Sequence, residues 1–300
     1  MFGLNFLTAP ASLERIRAAP SSADVSVRTR PIVLLRSGRR HGPVTRLITP
    51  WDLGELTQPF LFLADSEFAP GWQPLLAVPP QPGVATLTLV LSGTLGYRDA
   101  TGNESALTAG GFRWMTAGER GRFDGGHAVG GPLRALQLWI ALPPALESSV
   151  AEGRYLAPRE VPEDGPVRVI LGRFGRTQSV LARAVPDINY FHVRLRDGEP
   201  WRYVAPDQHN VTWLAVDRGG VRLRQGERVY RGQIALFGDS RGAIELQAEG
   251  ETSFVLGAAP RLAHPLLQDS PLIDATLIGL TPGAERGPRV EQRLRARGRR

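Results

Sequence analysis

The clearest pattern along this chain is the alternation of apolar and polar positions in Ala85-Thr-Leu-Thr-Leu-Val-Leu91. Ala85, Leu87, Leu89 and Leu91 fall on one face, and Thr86, Thr88 and Val90 on the other. A period of two marks a strand with one face on a core. Ser92-Gly93 turns the chain, Thr94 to Arg98 returns, and Asp99-Ala-Thr-Gly-Asn103 makes a second turn. Glu104–Thr108, Phe112–Met115 and Leu133–Ile140 predict further strands. Upstream, Pro31 to Arg36 predicts a strand, Ser37-Gly-Arg-Arg-His-Gly42 a loop, and Ser12 to Ala18 a short helix capped by Ser12.

Ala141 to Gly165 breaks the pattern, with five prolines between Pro143 and Pro166. Strands are then predicted at 167–171, 189–196, 211–216, 221–223, 234–237, 243–247 and 253–256. Turn signals about 8–12 residues apart argue for a barrel or a sandwich. The hairpin around Leu87-Thr-Leu-Val-Leu-Ser-Gly finds a faint echo in Thr212-Trp-Leu-Ala-Val-Asp-Arg-Gly-Gly. Two barrels in tandem are its simplest explanation. The expected organisation is an extension over 1–30, a first barrel over 31–145, a linker over 146–166, a second barrel over 167–280 and a tail over 281–300.

Composition fits many short strands joined by turns, with 34 Gly and 25 Pro in 300 residues. There is no cysteine, which excludes disulfides, thiolate nucleophiles and Cys-ligated zinc or iron–sulfur sites. No aliphatic run approaches the roughly 20 residues that span a bilayer, and Met1 to Ala11 lacks a basic n-region. The expectation is a cytoplasmic protein with no membrane partner. The formal charge is +7, and every basic residue is arginine. Glu285 to Arg300 holds seven Arg and two Glu, a net +5, so the rest of the chain carries only +2. Such a tail has the charge to attract nucleic acid. The expectation is a solvated tail, dispensable for folding.

Several segments resemble the pirin family: Pro59-Phe-Leu-Phe-Leu-Ala-Asp-Ser-Glu-Phe-Ala-Pro-Gly71, Thr86-Leu-Thr-Leu-Val-Leu-Ser-Gly93, Tyr97-Arg-Asp-Ala-Thr-Gly-Asn103, Trp114-Met-Thr-Ala-Gly118 and Leu136-Gln-Leu-Trp-Ile-Ala-Leu-Pro143. They occur in the family's order. Phe254-Val-Leu-Gly-Ala-Ala-Pro260 is similar more loosely. The resemblance implies an all-β bicupin, two cupin (double-stranded β-helix, jelly-roll) barrels in tandem. It also implies one iron-like metal in the first barrel of typical members, some of which oxidise flavonols such as quercetin while others regulate through protein contacts. The family's two metal motifs carry a His-Pro-His and a later His-x-Glu. Their ligand positions fall on Pro79, Gln81, Phe123 and Gly125 in this chain. Proline and phenylalanine have no donor atom, glycine has no side chain, and a neutral amide replaces imidazole poorly. Continuing the Leu87 parity backward places Gln81 on the inward face.

Other constellations are weaker. Asp207-Gln-His209, joined by His192, suggests a metal site in the second barrel, against the plainer reading of surface or hydrogen-bonded histidines. His192 shares its face with Arg194 and Arg196, a polar face. Gly238-Asp-Ser-Arg-Gly242 spells a nucleophile elbow around Ser240, but strand-like segments flank it on both sides. The elbow needs a helix after it, so a hairpin turn is predicted. Glu67 reads as a rim carboxylate, and Arg39, Arg40 and His41 as a solvated basic loop. Phe62, Gln81, Trp114, Phe123, Gln137 and Trp139 are the candidate lining of a pocket in the first barrel, with core packing the alternative for the aromatic rings.

These observations point to a metal-free pirin-like protein, with no cofactor, that binds a small molecule or a protein. The competing expectation is a quercetin 2,3-dioxygenase-like enzyme that holds Fe or Ni with unusual ligands such as Gln81, Asp124 or His127.

Overall fold

The structure is a computed structural model that describes residues 29–50, 52–70, 83–98, 104–116, 126–143, 146, 153–181 and 187–262. The helix predicted at Ser12, the candidate ligand positions Pro79, Gln81, Phe123, Asp124 and Gly125, and the arginine tail lie outside the described residues. In chain order the first strands are β1 Ile32–Ser37, β2 Arg39–His41 and β3 Val44–Ile48, followed by one helical turn at Gly54–Thr57. Then come β4 Phe60–Phe68, β5 Val84–Ser92, β6 Thr94–Arg98, β7 Glu104–Thr108, β8 Phe112–Thr116, β9 His127–Ala128 and β10 Leu133–Ala141. The next are β11 Gly153–Leu156, β12 Glu163–Asp164, β13 Val167–Leu171, β14 Arg173–Phe174 and β15 Thr177–Gln178. The last are β16 Asn189–Leu195, β17 Pro200–Tyr203, β18 Val211–Leu223, β19 Arg228–Tyr230, β20 Gln233–Phe237 and β21 Ile244–Ala259.

A seven-stranded antiparallel sheet, ordered β11-β8-β5-β10-β4-β3-β2, forms the wall of barrel 1. The small sheet β7-β6-β9 closes over it. Barrel 2 is built on the path β1-β20-β18-β21-β16-β13-β12, with β17 on β21 and β19 on β18. Its long strands β18 and β21 replace two pairs of shorter predicted strands. Register shifts at Val216/Arg218 and Arg218/Gly220 bulge β18, so the same pair of strands serves both layers.

The two large sheets pack face to face. Leu87, Leu89, Phe112, Trp114, Leu136 and Leu138 from barrel 1 share one buried cluster with Tyr190, Trp213, Ala215 and Val255 from barrel 2. Phe60 meets Trp213 edge to face at 5.2 Å, and such ring pairs add to the stabilisation from burial. The β5 strand is therefore buried on both faces, not one. Its Leu87 face points to the neighbouring barrel, and its Thr86 and Thr88 face points into its own, with both threonines buried.

Three observations refine the sequence reading. Strand β1 pairs with β20 of barrel 2, and Arg30 just before it is buried, donating to the carbonyls of Gly238 (2.7 Å), His209 (3.0 Å) and Asn210 (3.2 Å). The stretch expected as linker contains β11, which pairs with β8 and extends the first sheet. The segment expected as a basic loop is β2, hairpinned onto β3.

Gly257 lies directly opposite Trp213 in the β18–β21 ladder, and a Cβ there would fall inside the indole's van der Waals shell. Overpacking of this kind costs roughly 1–3 kcal/mol. We expect Gly257→Ala to lose about that much stability in urea unfolding; an unchanged midpoint would show that the seam around Trp213 has slack.

Candidate functional site in barrel 1

The inward face of the first sheet is built in cross-strand rows. One row runs Tyr155, Arg113, Thr88, Gln137, Ala64 across β11, β8, β5, β10 and β4. The next runs Met115, Thr86, Trp139, Phe62, toward the end where β5 begins and β8 finishes. Thr86, Thr88, Arg113 and Gln137 are all buried, so this interior is polar along its middle. Phe62 and Trp139 form an apolar patch beside it, their ring centroids 4.8 Å apart.

The polar groups are partly committed. Tyr155 hydrogen-bonds Arg113, and the Tyr155 ring stacks on Tyr97 at 3.9 Å. Burial lowers the Arg113 pKa, while Tyr155 and Tyr97 oppose the shift. Thr88 Oγ1 and Trp139 Nε1 are buried and have no hydrogen-bond partner among the described residues. Buried polar atoms are ordinarily paired with protein or water, so these two aim hydrogen-bonding capacity into the barrel.

The interior of barrel 2 is predominantly aromatic and aliphatic. Phe191, Trp201, Tyr203 and Phe254 fill its interior with Val193, Leu214 and Leu256. The Trp201 and Phe254 rings meet edge to face at 5.2 Å, and Phe191 and Tyr203 at 5.6 Å.

Of the candidate lining, Phe62, Gln137 and Trp139 come together on this inward face. Trp114 does not. It pairs with Leu87 and shares the parity of Phe112, so its ring lies in the seam between the barrels. The inward residues of that strand are Arg113 and Met115, which the sequence reading missed. The Leu87 parity that marked the inward face in fact marks the seam. Gln81 and Phe123 lie outside the described residues.

The remaining candidates are scattered. His127 is exposed on β9, its imidazole lying over Gly96 of β6. Glu67, exposed near the end of β4, pairs with Arg231 at 2.7 Å. Arg39, Arg40 and His41 are exposed. Ser240 accepts a hydrogen bond from the Gly242 N–H in a strand-to-strand connection. That connection crosses over β18 instead of closing a hairpin, because β20 and β21 both pair with β18 and not with each other. Asp207 is exposed beside Arg241, whereas His209 and His192 are buried. His192 lies on β16, next to Asp217 of β18. Among the described residues no group of three or more His, Asp or Glu side chains is arranged to hold a metal ion. No helix among them is long and apolar enough to cross a membrane.

Burial pushes His209 down to a pKa of about 4, with Asp187 opposing and Arg30 adding to the shift. The folded chain therefore takes up this proton at lower pH than the unfolded chain. The stability His209 contributes is complete above about pH 6.5 and is lost as pH falls toward 4, on the order of 3 kcal/mol in all. We expect His209→Gln to flatten this part of the pH–stability curve in urea unfolding between pH 4 and 7. An unaltered slope would contradict a neutral buried His209.

A family model described as Pirin matches residues 44–140. A Vibrio cholerae protein described as "Putative quercetin 2,3-dioxygenase" is 32% identical over 228 residues, covering 72% of this chain and 79% of that protein. A "Pirin-like protein" of Caulobacter vibrioides is 28% identical over 71% of this chain and 77% of its own length. Among solved structures, a quercetin 2,3-dioxygenase from Acinetobacter baumannii matches with a TM-score of 0.67 at 21% identity, covering 79% of this chain and 89% of that one. The bacterial pirin YhhW of Escherichia coli, in complex with nickel(II), matches with a TM-score of 0.57 at 18% identity, covering 76% and 99%. Those two structures share the fold, and the relatives share the sequence: this chain belongs to the pirin family, and its two packed barrels are a bicupin.

Proposed function

We propose that this protein binds a small, flat, hydrogen-bonding molecule inside barrel 1 and performs no metal-dependent oxygen chemistry there. The observation that carries the reading is the pairing of an aromatic patch, Phe62 and Trp139, with buried, uncommitted polar atoms at Thr88 Oγ1 and Trp139 Nε1. A ligand face that stacks on rings while its edge satisfies a few placed donors and acceptors is the usual chemistry of small-molecule pockets. Barrel 2 carries an aromatic core of Phe191, Trp201, Tyr203 and Phe254 in place of the polar row of barrel 1.

The donor set supports the absence of a resident metal. An iron or nickel centre takes about three or more imidazole or carboxylate ligands. The positions that the family resemblance assigns to ligands hold Pro79, Gln81, Phe123 and Gly125. His127 is exposed against Gly96. These residues do not fit the metal. The buried Arg113 guanidinium adds a positive charge to the same interior, which works against a divalent cation.

A second reading follows from the names of the relatives: a quercetin 2,3-dioxygenase with replacement ligands. Quercetin separates the two. We expect it to quench the tryptophan fluorescence saturably while its own absorbance persists in air. Trp139→Phe, which keeps the ring patch and removes the indole N–H, should weaken binding by roughly 5–10-fold. Oxygen-dependent loss of the flavonol absorbance at a catalytic rate would overturn the binding reading in favour of the oxygenase.

A further inference from the structure

The apolar seam between the barrels ends in a polar cleft of about 1070 Å3. Its floor is a buried network. Arg134 of β10 donates to both carboxylate oxygens of Asp65 and, across the seam, to the Asp217 carbonyl at 2.5 Å. Asp217 sits in the β18 bulge, outside the regular ladder, which turns its carboxylate toward this floor. Ser253 donates to its Oδ1 at 2.5 Å. His192 of β16 is 2% exposed. Its Nε2 lies 3.3 Å from Asp217 Oδ2, outside hydrogen-bond geometry, and its Nδ1 has no partner among the described residues. Arg134 commits its Nε and Nη2 donors to this floor, and His192 is a fully buried polar side chain on the cleft whose Nδ1 is left over.

The walls repeat that imbalance. His192, Arg194 and Arg196 alternate onto one face of the chain, and Arg218 stands opposite Ser253. Four arginines and four acids line the cleft, so the formal charges balance. Their engagement does not. Ser253 holds Asp217, the Gly250 N–H donates to Asp197 (2.7 Å), and the Arg196 N–H donates to Glu199 (2.9 Å). The side chains of Arg194, Arg196 and Arg218 make no hydrogen bond or ion pair among the described residues. Against these three arginine forks the lining leaves the Glu251 carboxylate and Asp217 Oδ2 as unengaged acceptors among the described residues, and arginine forks match a planar carboxylate. Leu91, half-buried, adds apolar surface to the same lining, whereas the Leu195 side chain turns into the core of barrel 2.

We propose that this inter-barrel cleft binds a small organic carboxylate, its head group held by His192, Arg194 and Arg218 and its apolar body against Leu91. The site is separate from the interior of barrel 1 and does not depend on what binds there. The test is calorimetric titration of the full chain with 1-naphthoate and with its neutral analogue, 1-naphthamide. Naphthoate should bind, and naphthamide should bind at least about tenfold more weakly. Arg194→Glu, at an exposed position where unfolding is not at issue, should weaken naphthoate by about tenfold or more. His192→Leu, with its fold checked by circular dichroism, should do the same, and Arg40→Glu on the distant β2 strand should change nothing. Absence of naphthoate binding, equal binding of the amide, or full affinity in Arg194→Glu would each overturn the proposal.

Discussion

The molecule depends on one shared surface, the apolar contact between the two large sheets. Each sheet supplies one face, centred on Phe60, Leu87 and Trp114 from barrel 1 and on Tyr190 and Trp213 from barrel 2. Burial of apolar area is the main favourable term in folding. Here much of it is spent between barrels instead of within the first one. That frees the other face of β5, β8 and β10 to carry Thr86, Thr88, Arg113 and Gln137 toward the barrel interior. A polar interior of this kind in an isolated barrel would leave too little apolar contact to hold it closed.

The two barrels resolve the same architecture in opposite ways. Barrel 2 fills its centre with aromatic rings. Barrel 1 keeps polar atoms inside and a ring patch at one end. Arginine also ties the barrels where the apolar seam gives out. Arg134 reaches the Asp217 carbonyl, and Arg168 of β13 reaches the Gly110 and Pro158 carbonyls at 2.7 and 2.5 Å. A guanidinium stays charged and carries five donors, so one side chain satisfies several carbonyls at once. In a chain without lysine, this is the available way to close polar gaps at a buried junction.

Strand positions were legible because alternation and turn residues report local geometry. The predicted strand at 133–140 is β10, and that at 189–196 is β16 almost residue for residue. What local pattern does not report is which buried face is which. Both faces of β5 are covered, so the apolar parity of Leu87 was read as the inside of its own barrel when it is the seam. That choice set the expected inward face for Gln81; Trp114 entered the candidate lining as an aromatic ring, with core packing as its alternative, and it is in the seam. The polar alternation of Thr86 and Thr88 was the available signal, since a strand buried on both sides has no solvent face to explain it. Strand exchange was likewise invisible. Nothing local in Ile32–Ser37 says that it pairs with β20 some 200 residues on. Asp217 entered the floor of the cleft through a bulge, which shifts parity by one and defeats a period-two reading.

Under the proposed function, barrel 1 carries the pirin scaffold as a binding site without a resident metal. Metal content tests this most directly. The full chain, purified without chelators, is incubated with Fe(II) or Ni(II), desalted and submitted to elemental analysis. The account expects less than about 0.1 metal ion per chain, since Pro79, Phe123 and Gly125 offer no side-chain donor and Gln81 only a neutral amide. Close to one ion per chain, lost on mutation of Gln81, Asp124 or His127, would contradict it.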